Sequence, residues 1–153
     1  MDQTQEELEI IGRAEKIAFP TAGISDVPAK IDTGAYRTSV WASNIEESDD
    51  KLSFTLFGEG SQWYTGETIT VDDYKTVEVE NSFGHSEKRY SLMMSIRLAG
   101  RRINTNITLS DRENKTYPVL VGRKMIRGKF MVDVSIGTPL DDEETEDEDS
   151  DTF

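Results

Sequence analysis

Asp32-Thr33-Gly34-Ala35 is the stretch of this chain whose residue types could do chemistry. It ends an apolar run, Val27, Ala29 and Ile31, and leads into Thr38-Ser39-Val40. A carboxylate at a strand end can take and give protons. A neighbouring hydroxyl can lock the loop, and a glycine lets the backbone approach a partner loop closely. Two such carboxylates held side by side cannot both stay charged. They share a proton, and the pair can activate a water and protonate the group it attacks. The plain alternative is that Asp32 opens an Asx turn at the end of a strand. No second D-T-G or D-S-G occurs; Asp111 precedes Arg and Asp133 precedes Val. A pair of Asp32 carboxylates therefore needs two copies of the chain.

Far downstream stands Pro118-Val119-Leu120-Val121-Gly122-Arg123, an apolar strand closed by Gly-Arg. Between and around these two segments lie Ile11-Gly12-Arg13, Thr38-Ser39, Ser82-Phe83-Gly84, Glu87-Lys88-Arg89-Tyr90 and Leu109-Ser110-Asp111-Arg112. In this order they resemble, over roughly residues 10 to 135, the bacterial and archaeal retropepsin-like aspartic peptidases often labelled ATP-dependent zinc proteases. The resemblance implies a peptidase with Asp32, Thr33 and Gly34 as its catalytic loop, Thr33 bracing the two loops across a homodimer. It implies a glycine-bearing flap over Val77 to Tyr90, with Phe83 and Gly84 at its turn and a Tyr-led core strand behind it. Substrate would lie against Ala35, Arg37, Phe83, Gly84, Arg89 and Arg123. Members of the family are associated with an ATP-grasp ligase that adds glutamate tails to a ribosomal protein, so a glutamate-rich peptide is the implied substrate.

Two departures stand out. Viral retropepsins pair the Gly-Arg arginine with an acidic residue four positions after the catalytic Asp, and here Tyr36 stands there, followed by Arg37. This leaves the partner of Arg123 open, and Arg37 or Arg123 could face an acidic substrate or pair elsewhere in the fold. The family also places a His in a Leu-His-Ala triplet after Thr-Ser. Here the triplet is Val40-Trp41-Ala42, and Trp41 reads as core or subsite wall.

Composition narrows the chemistry. The 153 residues suffice for one domain with a real core, yet are too few for a two-lobed aspartic protease. There is no Cys and a single His, His85, so no zinc site is expected and the metal label finds no support. An all-carboxylate site would suit a harder cation. No P-loop is present: Gly122 and Gly128-Lys129 are spaced one residue too far, and Phe130 replaces the Ser or Thr. No cofactor is expected. The net charge is −13, of which nine acids fall in residues 141 to 151; removing those nine leaves −4 for the rest. That balance argues against nucleic-acid binding. Asp2, Glu6 and Glu7 with no apolar stretch behind them leave no visible signal peptide or membrane span, and a cytoplasmic location is the default expectation.

The elements that must position these residues are strands. Leu52 to Leu56, Val77 to Val79 and Ile103 to Leu109 alternate apolar and polar, the period of half-buried strands. Ile10 to Phe19 contains one more strand, Val27 to Ile31 another, and Tyr90 to Leu98 reads as a central strand turning at Gly100-Arg101. Only Arg123 to Arg127 suggests helix. The expected fold is an all-β, retropepsin-like closed barrel with one short C-terminal helix, over residues 8–137. Residues 1–7 read as a flexible lead-in, 43–75 as extra hairpins or long loops, and 138–153 as a disordered acidic tail. The function expected is dyad hydrolysis of peptide bonds. The competing expectations are a non-catalytic module that binds acidic peptides and a metallopeptidase.

Overall fold

A computed structural model of the protein describes residues 7–80 and 83–137. Eleven strands and one short helix follow in order: β1 (Glu9–Ile11), β2 (Ala14–Phe19), β3 (Ile24–Ile31), β4 (Thr38–Ser48), β5 (Lys51–Leu56), β6 (Ile69–Val71), β7 (Tyr74–Glu80), β8 (Ser86–Leu98), β9 (Arg101–Ser110), β10 (Val119–Val121), α1 (Arg123–Ile126) and β11 (Phe130–Val132). The all-β expectation holds. The helix also falls where expected, as a single turn with β11 after it.

The strand pairings close on themselves. β10 pairs with β3, β3 with β2, β2 with β8, β8 with β9, β9 with β4, and β4 again with β10. A closed ring leaves no open edge among its six members and encloses one apolar interior. Phe19, Val27, Val40, Phe54, Phe57, Ile96, Leu98 and Ile107 are fully buried there. The alternation of β9 explains its place: Ile103, Thr105 and Ile107 point inward and Asn104 outward.

Three features depart from the sequence reading. The run from Ile10 to Phe19 holds parts of two strands, because Gly12 breaks it: a Cβ there would lie 2.6 Å from the Ile136 carbonyl oxygen. β1 leaves the ring and pairs in parallel with β11. Of the two readings of residues 43–75, hairpin or long loop, 43–56 takes the first, and as a long extension of a ring strand: β4 runs on to Ser48 and returns as β5. Asp49 and Asp50 turn the chain there with φ of 54° and 62°, left-handed values that aspartate tolerates and that match hairpin twist.

β7 and the first half of β8 form the expected hairpin. Ser86 to Tyr90 pair only with β7, while Ser91 to Leu98 pair with β9 inside the ring. The hairpin therefore projects from a buried root. At that root Glu47 accepts hydrogen bonds from Tyr74 (2.5 Å) and Tyr90 (3.1 Å), tying the end of β4 to both hairpin strands. These bonds lower the Glu47 pKa, raise that of Tyr90 and push Tyr74 up to about 12.

Candidate active site

Asp32 sits directly beyond the end of β3, where β10 runs alongside in parallel. Its N–H donates to the Val121 carbonyl at 2.9 Å, which continues the ladder to the D-T-G loop. Its Oδ1 accepts the Gly34 N–H at 3.1 Å, and its carbonyl accepts the Ala35 N–H at 3.1 Å. The Asx turn is thus real, and it occupies one carboxylate oxygen. Among the described residues Oδ2 has no hydrogen-bond partner, and the Thr33 hydroxyl also makes none. Thr33 and Gly34 are exposed and Asp32 is half-buried.

The loop is held by the second motif. Arg123 N–H donates to the Ala35 carbonyl (2.7 Å) and Lys124 N–H to the Tyr36 carbonyl (3.2 Å). These are the first donors of α1, which Gly122 cannot cap with a side chain. Gly122 must be glycine: a Cβ would lie 2.4 Å from the Arg37 carbonyl oxygen and 2.7 Å from that of Tyr36. Its N–H donates to Thr38 Oγ1 at 3.1 Å, and that hydroxyl donates onward to Met125 Sδ at 3.6 Å. Ser39 and Ser110 hydroxyls meet at 2.6 Å beneath the loop.

Arg123 has its answer here. Its Nη1 donates to the Gly34 carbonyl at 3.2 Å, and the guanidinium lies 5.5 Å from the Tyr36 ring. Arg37 and Lys124 approach the same ring at 5.7 Å each. Tyr36, which replaces the acid of the viral pattern, thus gathers three cations by its π-face.

Beside the loop lies a cleft of 460 Å³ lined by Ala35, Tyr36, Arg37, Ser39, Thr108 and Leu120 on the ring side, by Glu78, Val79, Glu80 and Arg89 from the hairpin, and by Arg112. Of the residues read from sequence, Ala35, Arg37 and Arg89 line it. Asp32, Thr33 and Gly34 stand beside it, and Arg123 braces the loop without lining it. Phe83 and Gly84 fall at the hairpin turn, Phe83 being 83% exposed, and neither lines the cleft. Asn81 and Ser82 lie outside the described residues. Trp41 walls a separate 560 Å³ pocket with Trp63, away from the Asp32 loop. That pocket is larger and is lined by Glu59, Glu113 and Lys115, whereas the cleft is the one that adjoins the Asp32 loop. Among the described residues no three His, Asp or Glu side chains gather as a metal site.

Arg112 is the residue the sequence reading passed over. It belongs to the Leu109-Ser110-Asp111-Arg112 motif, which was the one available signal. Its Nε donates to the Tyr117 carbonyl at 2.9 Å. Burial and then the nearby Arg89 charge lower its pKa, and Asp32 pulls it back up. Arg112, Arg89 and Asp32 therefore share one electrostatic field.

A ring of strands carrying a D-T-G loop docked on a hydrophobic-Gly-Arg strand defines the retropepsin-like class. The family model described as retropepsin-like aspartic endopeptidase RimB matches residues 10–138, and the chain belongs to this RimB-like family. Curated relatives are probable alpha-L-glutamate ligases: one from Shewanella pealeana is 30% identical over 138 residues, covering 82% of this chain and 28% of its own length. One from Desulfotalea psychrophila is 26% identical over 144 residues, covering 86% of this chain and 29% of its own. The chain thus spans less than a third of the length of these relatives. A crystal structure of a Legionella pneumophila protein of unknown function shares the fold, with a TM-score of 0.66 and 24% identity over 87% of this chain and 98% of that one.

Proposed function

We propose that the chain is one half of an aspartic peptidase and hydrolyses peptide bonds with Asp32 from two subunits. The observation that carries this is the Asp32 loop itself: buttressed by Gly122 and Arg123, with one carboxylate oxygen unused and Thr33 exposed beside it. In the pair, the ionised carboxylate takes a proton from water while the oxygen attacks the peptide carbonyl carbon. The protonated carboxyl gives its proton to the carbonyl oxygen, and on collapse the leaving amine takes a proton as the C–N bond breaks.

A second copy has a surface to meet. Ile10 (59% exposed), Met131 (52%), Val134 (73%) and Ile136 (45%) expose apolar side chains on and beside the β1–β11 ribbon. That ribbon reaches the Asp32 loop through two hydrogen bonds, Arg13 N–H to Ile136 O and Ile31 N–H to Arg13 O. Exposed apolar side chains gathered along one ribbon are the kind of surface that association covers.

The substrate class is acidic peptide, in particular glutamate-rich tails. Arg37, Arg89 and Arg112 line the cleft against Glu78 and Glu80. Relatives that contain a region like this chain are named for α-L-glutamate ligation, so a peptidase module acting on such products is the consistent reading. That same name favours the second reading, a non-catalytic module that binds glutamate-rich peptides. Turnover of a quenched-fluorescence hexaglutamate peptide, lost in Asp32→Asn, supports the peptidase. Specific activity should also fall on dilution as dimers dissociate. Wild-type turnover in Asp32→Asn, or constant specific activity in a monomer verified by sedimentation, removes the dyad.

A further inference from the structure

Arg112 is a half-buried cation that the Asp32 charge reaches only from beyond ion-pair distance. One of its five donors, Nε, is spent on the Tyr117 carbonyl at 2.9 Å, which fixes the plane of the group. Among the described residues it has no ion-pair partner, although Glu78 and Glu80 line the same cleft. Arg89, the other arginine on that wall, has Glu87 at 3.4 Å. Taking a guanidinium partly out of water beside a second cation is unfavourable unless an anion completes it. Its placement in the cleft, by the Asp32 loop, puts that anion within a bound ligand.

We infer that Arg112 is the specificity-determining residue of the cleft, holding one side-chain carboxylate of a bound peptide through its free Nη1 and Nη2 donors. This rests on the acidic-peptide reading above and assigns it to one residue. A planar fork fixed at Nε presents its remaining donors in the geometry a carboxylate accepts from two oxygens at once. Arg37 and Arg89 add field rather than a fixed fork, since Arg37 is exposed and Arg89 is shared with Glu87. Arg112 does not touch the bond being cleaved, so its loss weakens acidic ligands selectively instead of stopping chemistry.

The test measures binding, in the full chain carrying Asp32→Asn so that nothing is turned over. Hexaglutamate is titrated, followed by six peptides each with one Glu replaced by Gln. One position should stand out, its Gln peptide binding roughly tenfold more weakly. Arg112→Met should lose the same factor for hexaglutamate and lose nothing further for that Gln peptide. Arg112→Lys should recover part of the charge without the fork. The peptide series against Arg112 itself needs no change at residue 112, so misfolding of Arg112→Met cannot imitate the result. Equal losses at all six positions, or equal weakening of every peptide by Arg112→Met, overturns the assignment. Position-specific, Arg112-dependent binding by a wild-type chain that hydrolyses nothing keeps this subsite and removes the peptidase reading. Hydrolysis with no Arg112-dependent position does the reverse.

Discussion

Replacing Thr38 by Val should loosen the Asp32 loop through one hydroxyl. Thr38 is 2% exposed, and Val has nearly its shape, so packing is preserved. What disappears is the acceptor for the Gly122 N–H at 3.1 Å and the donor to Met125 Sδ at 3.6 Å. The contact with sulfur is weak. The N–H is the larger loss, because the surrounding strands leave it buried with nothing to donate to, at about 1–3 kcal/mol. Val also fits a strand slightly better than Thr, which returns a few tenths of a kcal/mol. A net loss near 2 kcal/mol lowers the unfolding midpoint of a domain of this size by roughly 6–10 °C. Thr38→Ser is the control. It keeps the hydroxyl and deletes one buried methyl, for about 1 kcal/mol. Circular dichroism melts of the three proteins should therefore rank wild type, then Ser, then Val. Peptide turnover should fall further in Val than in Ser, because Gly122 and the Ala35–Arg37 carbonyls move together. Val melting with the wild type, or Ser melting below Val, would refute the hydroxyl as the tie between β4 and the Gly-Arg segment.

Gly122→Ala meets two backbone carbonyls that cannot rotate away, at 2.4 and 2.7 Å, and should cost at least about 1–3 kcal/mol in urea unfolding; an unchanged midpoint would show that the loop can retreat. The Glu47 clamp predicts late tyrosine ionisation. Tyr74 has its folded pKa raised from 10 to about 12, so its contribution is present below pH 10 and lost as pH rises toward 12. Glu47 is lowered, so its share persists above the usual carboxylate range and is lost as pH falls through its folded value. Absorbance titration of the five tyrosines should show a late phase that Glu47→Gln moves back toward pH 10, and identical curves would mean that the clamp does not persist in solution. Removal of residues 141–153 tests tethered competition. If the nine carboxylates compete for the cleft, truncation should lower KM for hexaglutamate at low salt with kcat unchanged. Equal KM values would leave the acids without a role at the cleft.

Much of the fold was legible because the signal is periodic. Ile103 to Leu109 and Leu52 to Leu56 alternate, and both are strands with the expected faces inward. Residues 43–48 were left between hairpin and loop, because Ser43, Asn44, Glu46 and Glu47 carry no apolar alternation. They are strand because β5 pairs with them across a bulge. Gly12 read as part of a strand motif, whereas its contact with Ile136 lies at the other end of the chain.

By itself the sequence determined the loop motif. Asp32, Thr33, Gly34 and the Gly122-Arg123 pair are recognisable from residue type, order and local apolar runs, because a carboxylate at a strand end announces itself over a few neighbouring residues. Tertiary structure alone decided who holds that loop and what faces the cleft. That Arg123 serves the Gly34 carbonyl, that Thr38 serves Gly122, and that Arg112 stands beside Arg89 in the field of Asp32 are consequences of register between β3, β4, β9 and β10. Those strands are distant in sequence, and a shift of one residue would turn every side chain to the opposite face. Hydrogen bonds of this kind have no local pattern to read, since each partner is selected only once the ring has closed.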